Sequence, residues 1–585
     1  MANNLEYLDN KAVNKKLHFN LDYLGVISSF FKQTGLTEFV DTILPKSRDH
    51  KITHGEAFKF LSLSAFSMYR RSFYKLSTYL SQLPLFALFR PNIDALSFND
   101  DALAKFLEEI DEYGPQAFFL RIVQHLAPQL PHLLDFDRLH TDITNFTVYG
   151  QYEQDIDEDN PKDLIKIVYG HPKDKRSHLK CLSLALVTNS AGMPVFMKPL
   201  SGNCSDNKEL NIIMREFFEC IKKTLKGESG PLFISDAAFY CKKNISDFPA
   251  DFITRVPETL TESRNLIFSN FTMRTMHGDP RYSFYETKSS YADLEQTWIL
   301  VHSTEMAEKQ TLTFERRIAK EMSVANGELK SLGKHAFACE PDARRAAESW
   351  IAKQKWCNFE TLKIIKKENR ISGKMGRPHK GEKLEKNFFV RGSLCFDSEV
   401  VEKERLGVGR FILATNNLSL TAEEILTYYK EQAKVEKCFR YLKGNELRIS
   451  EILLKKVERI QGLCCFIALV MLIASILETT LRNNLKTRGQ FITNYLGRPI
   501  NKPTLKQVFE KLEGITAEII QDSETNEYMF YIILPESDDV ITILKQFGDT
   551  TLKEYAYEMK VRIPYQYISL IRENKRVRHV KEAEN

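Results

Sequence analysis

One carboxylate in the middle of an apolar stretch constrains this chain more than any other feature. Residues 138–150 read RLHTDITNFTVYG, and their period-two alternation predicts a strand with Asp142 and Thr144 on one side. Burying an isolated carboxylate costs several kcal/mol, so Asp142 must be paired or must hold a cation. The segments that follow, LIKIVYG and CLSLALVTNSAGMPVFMKPLSG, read as further strands, with a hairpin turn at Asn189–Gly192. Residues 205–225 repeat apolar positions at Leu210, Ile213, Phe217 and Ile221, the spacing of a helix, with Asp206 placed to cap its start. The run LFISD then ends on Asp236, and a short helix leads to another strand, ADFITRV.

Strand, strand, strand, helix, strand, helix, strand is the plan of an RNase H-like α/β core, with Asp142 on its first strand and Asp236 at the end of its fourth. A third acidic position lies far downstream in YKEQAKVEKCFRYLK, Tyr429–Lys443. At 3.6 residues per turn, Tyr429, Gln432, Glu436, Arg440 and Lys443 share one helix face. Alone, that face reads as a solvated surface held by pairs such as Glu436 with Arg440, and Asp236 alone reads as a helix cap. Together, Asp142, Asp236 and Glu436 make the oxygen-rich set that suits two Mg²⁺ ions about 3.5–4 Å apart in phosphoryl transfer, with Mn²⁺ able to substitute.

The 585 residues suffice for several domains. Residues 1–135 read as a helical domain, with a Thr53/Glu56 capping box, an Asn99 or Asp100 cap and a break at Gly114–Pro115. Residues 136–258 are the first part of the core and 406–480 the second. Between them, 259–405 form an inserted strand-plus-helix domain with a basic segment at Thr361–Lys386, and 481–585 form a small mixed domain. The fold class is therefore multidomain, mainly α+β. A net charge of +5 is only mildly basic, but the segment 361–386 and the tail RENKRVRHVK favour a polyanionic partner. The ten cysteines contain no CxxC pair, which argues against a zinc module or disulfide framework. No signal-peptide pattern opens the sequence, and the apolar run Leu463–Leu477 falls short of the roughly 20 residues of a membrane span. A cytoplasmic protein with a buried helix is expected, and no membrane partner.

Several blocks, in order, resemble DDE transposases of the IS4 superfamily, nearest its IS1634-like group: HGE at His54–Glu56, LHTDITNFTVYGQY around Asp142, PLSGNCSDN, ISDAAFY with ITRVP around Asp236, and TLKQVFEKL. The family's Tyr, Arg, Glu, Lys signature corresponds to Tyr429, Gln432, Glu436 and Lys443, so Gln432 stands where an arginine is usual. An amide still hydrogen-bonds to phosphate but brings no charge. The resemblance implies Asp142, Asp236 and Glu436 as metal-holding catalytic residues, and Tyr429, Gln432, Arg440 and Lys443 as contacts to DNA phosphate. It also implies Trp298 as a stacking residue for a displaced base, although a tryptophan in QTWILV also reads as core. The implied partners are double-stranded DNA with terminal inverted repeats, target DNA and a second copy of the chain in a synaptic complex. The bacterial nucleoid is the implied workplace.

Overall fold

The computed structural model describes residues 16–46, 50–66, 80, 82–152, 164–170, 176–204, 206–222, 230–246, 248–370, 384–433, 454–521, 528–555 and 561–563. The chain divides into two compact units, residues 1–234 with 430–585, and residues 235–429.

In the first unit, the expected helical region forms the helices Leu24–Thr34, Leu36–Ile43, His54–Phe66, Asp100–Tyr113 and Pro115–Leu126, of which His54–Phe66 is buried on nearly every side. Their ends are set by local chemistry. Thr53 Oγ1 accepts from the Glu56 amide at 3.0 Å while Glu56 Oε2 accepts from the Thr53 amide at 3.0 Å, a completed capping box. Asn99 Oδ1 caps the next helix by accepting from the Ala102 amide at 2.8 Å. The expected break falls at Gly114, whose φ of +96° lies in the left-handed region where a side chain is disfavoured, and Pro115 opens the following helix.

Against these helices packs Val457–Thr487, longer than the apolar run alone suggests. Its length and composition would suffice to cross a membrane, but 89% of its most apolar window is buried, the state of a core helix. The contact is close because Gly462 has no side chain: a Cβ there would lie 2.1 Å from the Leu107 carbonyl oxygen on the helix Asp100–Tyr113.

The sheet of this unit follows the expected order. Strand Arg138–Val148 pairs antiparallel with Lys180–Asn189, which pairs antiparallel with Pro194–Ser201 through the turn at Asn189–Gly192. On its other edge the same strand runs parallel to Leu232–Ser235, matching Arg138 with Leu232, Leu139 with Phe233 and His140 with Ile234. The helix Asp206–Ile221 buries Leu210, Ile213, Phe217 and Ile221, as its spacing predicts, and Phe217 packs 5.0 Å from Phe196 of the sheet.

The two ends of the sequence depart from expectation. Residues Lys16–Asn20 are not helical but form a strand that pairs antiparallel with Thr516–Gln521, next to Tyr528–Ile533 and Val561–Ile563. Phe19, Ala517, Ile519, Tyr528 and Phe530 form the core of that sheet. Tyr555, fully buried, donates its hydroxyl to the Asp22 carbonyl at 2.7 Å and accepts from the Val26 amide at 3.3 Å. Segments read as separate first and last domains thus share one core.

The second unit is built on antiparallel strands. Asp251–Val256 pairs with Arg410–Thr415, which pairs with Leu294–Ser303, which pairs with Tyr282–Tyr291. Strands 251–256 and 410–415, expected in the two halves of the core, therefore pair directly with each other, and strands from within 259–405 extend that sheet beyond 410–415. The helices Thr304–Leu332 and Glu340–Ile351 follow, then the long hairpin Cys357–Arg370 with Leu384–Phe396, which carries part of the basic segment as a ribbon. Residues 371–383 of the basic segment lie outside the described residues.

Candidate active site

Asp142 occupies the middle of its strand, paired opposite Leu186 and half-buried. Its Oδ1 accepts from the amide of Ile143 at 2.7 Å. Alternation puts Arg138, His140 and Thr144 on the same face, and His140 and Thr144 are buried. Glu431, one residue before Gln432, comes to this strand: its Oε2 lies 3.5 Å from Arg138 Nη1 and 3.8 Å from His140 Nε2. Sequence reasoning did not single out Arg138, His140 or Glu431. The alternation of RLHTD held the signal for the first two. Gln432 ends in the same unit with its Oε1 buried and without a hydrogen-bond partner among the described residues.

Asp236 directly follows the strand Leu232–Ser235 and is exposed. Its Oδ1 accepts from the Ala238 amide at 2.9 Å, and its carbonyl accepts from Thr254 Oγ1 at 2.7 Å, so the local cap and the strand Asp251–Val256 both fix its backbone. Tyr429 lies near the end of the helix Ala422–Lys430, its ring 6.3 Å from that of Phe411, and Gln432 sits in the turn that follows, so the two do not share one continuous helix face as expected. Glu436, Arg440 and Lys443 lie outside the described residues.

Trp298 does not present a face to a base. It is 2% exposed, its Nε1 donates to Gln296 Oε1 at 3.2 Å, and it stands edge-on to Tyr240 at 6.3 Å. The Tyr240 hydroxyl donates to the same oxygen at 2.8 Å, and burial pushes its pKa up, so it stays a donor at any working pH. Gln296, buried two residues away on the same strand, supplies the polar partner that lets an indole sit in the core. Trp298→Phe is expected to lower stability by about 2 kcal/mol, from the lost hydrogen bond and ring volume, with DNA affinity unchanged. Thermal melting beside a DNA titration checks both.

Asp142, half-buried, and Asp236, exposed, each carry the carboxylate oxygens that a hard divalent cation prefers. Among the described residues no group of three His, Cys, Asp or Glu is close enough to hold a metal, and the third acidic position, Glu436, is not among them.

The model of the transposase DDE domain matches residues 141–473, more than half of the chain. The protein belongs to the DDE transposase family. Residues 17–124 match a domain of unknown function, DUF4277, which covers the N-terminal helices. That pairing is consistent with the IS1634-like group of the IS4 superfamily. No curated protein matches the chain. The matched DDE domain begins at Thr141, one residue before Asp142, and runs past Asp236 and the Tyr429–Lys443 segment into the core helix Val457–Thr487.

Proposed function

We propose that the chain is a transposase that binds the terminal inverted repeats of an insertion element, cuts the DNA there and joins the freed ends to target DNA. The observation that supports this reading most is the match of the transposase DDE domain to residues 141–473, a span that holds Asp142 on the strand Arg138–Val148 and Asp236 directly after the strand Leu232–Ser235. Asp142, Asp236 and Glu436 would hold the metal. Two Mg²⁺ ions, when bound, would favour the attacking oxygen and stabilise the departing one. In the first step a water oxygen attacks phosphorus and the bond to the 3′ oxygen breaks, leaving a 3′-OH and a 5′-phosphate. In the second, that 3′-OH attacks a target phosphodiester and displaces its 3′ oxygen.

Tyr429, Gln432, Arg440 and Lys443 hold the phosphates of the cut strand, with Gln432 supplying an amide donor in place of a guanidinium. Glu431 sits against the strand of Asp142, within ion-pair distance of Arg138. Two copies of the chain bring two ends together, and the work is done in the cytoplasm on nucleoid DNA.

Gln432 favours a second reading, in which the chain binds DNA ends without cutting them, because the missing cation weakens the grip on the reacting phosphate. An RNase H-like nuclease that cuts without joining uses the same carboxylates. One assay separates the three: purified full-length protein, Mg²⁺, a labelled duplex carrying the repeats that flank its own gene, and a target plasmid. Cutting with joining is the expected result. Cutting alone supports the nuclease, and binding alone the non-cutting descendant.

A further inference from the structure

The segment Arg482–Lys511 carries seven Lys or Arg against a single acid, Glu510, a stronger local imbalance than the whole chain shows. Its centre is a small hairpin in which Ile492 pairs with Ile500 and Thr493 with Pro499. The turn is pinned from within. Asn494 Oδ1 accepts from the amides of Leu496 and Arg498, each at 2.9 Å, and Gly497 takes a φ of +70°. This fixed turn holds two large apolar residues out in water, Tyr495 at 69% and Leu496 at 76% exposure. The Tyr495 hydroxyl donates to Glu510 on the helix Leu505–Lys511, which ties the tip to that helix.

Cations flank the tip. Arg482 is engaged with Glu478, Lys511 with Asp539, and Arg488 donates to the Lys545 carbonyl. Lys486, Arg498, Lys502 and Lys506 are exposed and make no ion pair among the described residues. Lys506 stands one turn from Glu510, on the helix that anchors Tyr495. A rigid apolar tip between unneutralised cations is complementary to duplex DNA, whose phosphates take the cations and whose base steps take an apolar wedge or a stacked ring.

We propose that this hairpin is a DNA-contacting element, with Arg498, Lys502 and Lys506 on phosphates and Tyr495 and Leu496 against the bases of a groove. The choice of DNA as occupant rests on the family of the chain and on the charge of the segment. The test uses full-length protein without Mg²⁺, so that no cutting occurs, and a fluorescein-labelled random duplex of about 40 base pairs titrated between about 50 and 200 mM salt. The double variant Tyr495→Ala with Leu496→Ala is expected to bind roughly tenfold more weakly by a similar factor at every salt concentration, because the lost contacts are apolar. Arg498→Ser with Lys502→Ser is expected to lower the slope of log affinity against log salt by about two, one for each lost phosphate contact.

Wild-type affinity and slope in both variants would overturn the proposal while leaving the Asp142 assignment standing. Weakened binding accompanied by a lowered melting temperature also counts against it, because side chains this exposed should not carry stability. If wild-type protein shows no affinity for duplex DNA, this proposal and the transposase reading fall together. If it binds as expected but does not cut its own ends, the hairpin survives and the cutting reading fails.

Discussion

Asp142→Asn is expected to leave a folded protein whose Mg²⁺-dependent cutting of the element's ends has dropped at least about a thousandfold, equivalent to about 4 kcal/mol of barrier. The change keeps the size of the side chain. An amide oxygen can still accept from the Ile143 amide, as the carboxylate does at 2.7 Å, so the strand and its pairing with Lys180–Asn189 persist. Only the negative charge is removed, and the charge is what a divalent cation requires. Asp236→Asn should behave alike, since its Oδ1 accepts from the Ala238 amide, which an amide oxygen also does. Cleavage assays on the flanking repeats, with DNA affinity and melting temperature as controls, make the comparison. Full cutting by either variant would show that these aspartates are not the metal-holding pair.

Gly462→Ala is the largest stability effect expected. A methyl there would have to lie 2.1 Å from the Leu107 oxygen and 2.8 Å from its carbonyl carbon, backbone atoms that cannot rotate away. The helices Val457–Thr487 and Asp100–Tyr113 would therefore have to separate. Neighbouring contacts would suffer as well, among them Cys465 Sγ to the Pro115 carbonyl at 3.2 Å and Gln461 to Asp111. Overpacking of this kind costs about 3 kcal/mol where rigid atoms are met. Chemical denaturation should show the loss as a lower midpoint, and a midpoint equal to wild type would mean that the two helices do not pack at this distance. The substitution raises helix propensity, so any loss observed is a packing loss.

Local signals were the most legible part of the sequence. The Thr53/Glu56 box, the Asn99 cap, the Gly114–Pro115 break and the Asn189–Gly192 turn each depend on residues within a few positions of one another. So does the apolar face of Asp206–Ile221. What escaped depends on distant partners. Lys16–Asn20 is five residues long, too short for period two to stand out, and nothing nearby indicates Thr516–Gln521 as its neighbour. The strand content of the insert was legible, but the attachment of Leu294–Ser303 to Arg410–Thr415 crosses more than a hundred residues of helix and hairpin. Asp142 stood out because a carboxylate is out of place in an apolar strand. Glu431 did not, because an acid beside lysines on a helix is ordinary until the fold brings it to His140 and Arg138.

The pairing of Lys16–Asn20 with Thr516–Gln521 also imposes an order on synthesis. His18 and Glu518, which meet at 3.2 Å across that pair, are 500 residues apart in the chain. At about 5–20 residues per second, the first strand waits on the order of half a minute to two minutes after leaving the ribosome before its partner exists. Throughout that interval it is an unpaired edge beside a growing polypeptide. A ribosome that stops before Thr516 releases a protein whose helices from Leu24 to Leu126 are made and whose first strand has nothing to join.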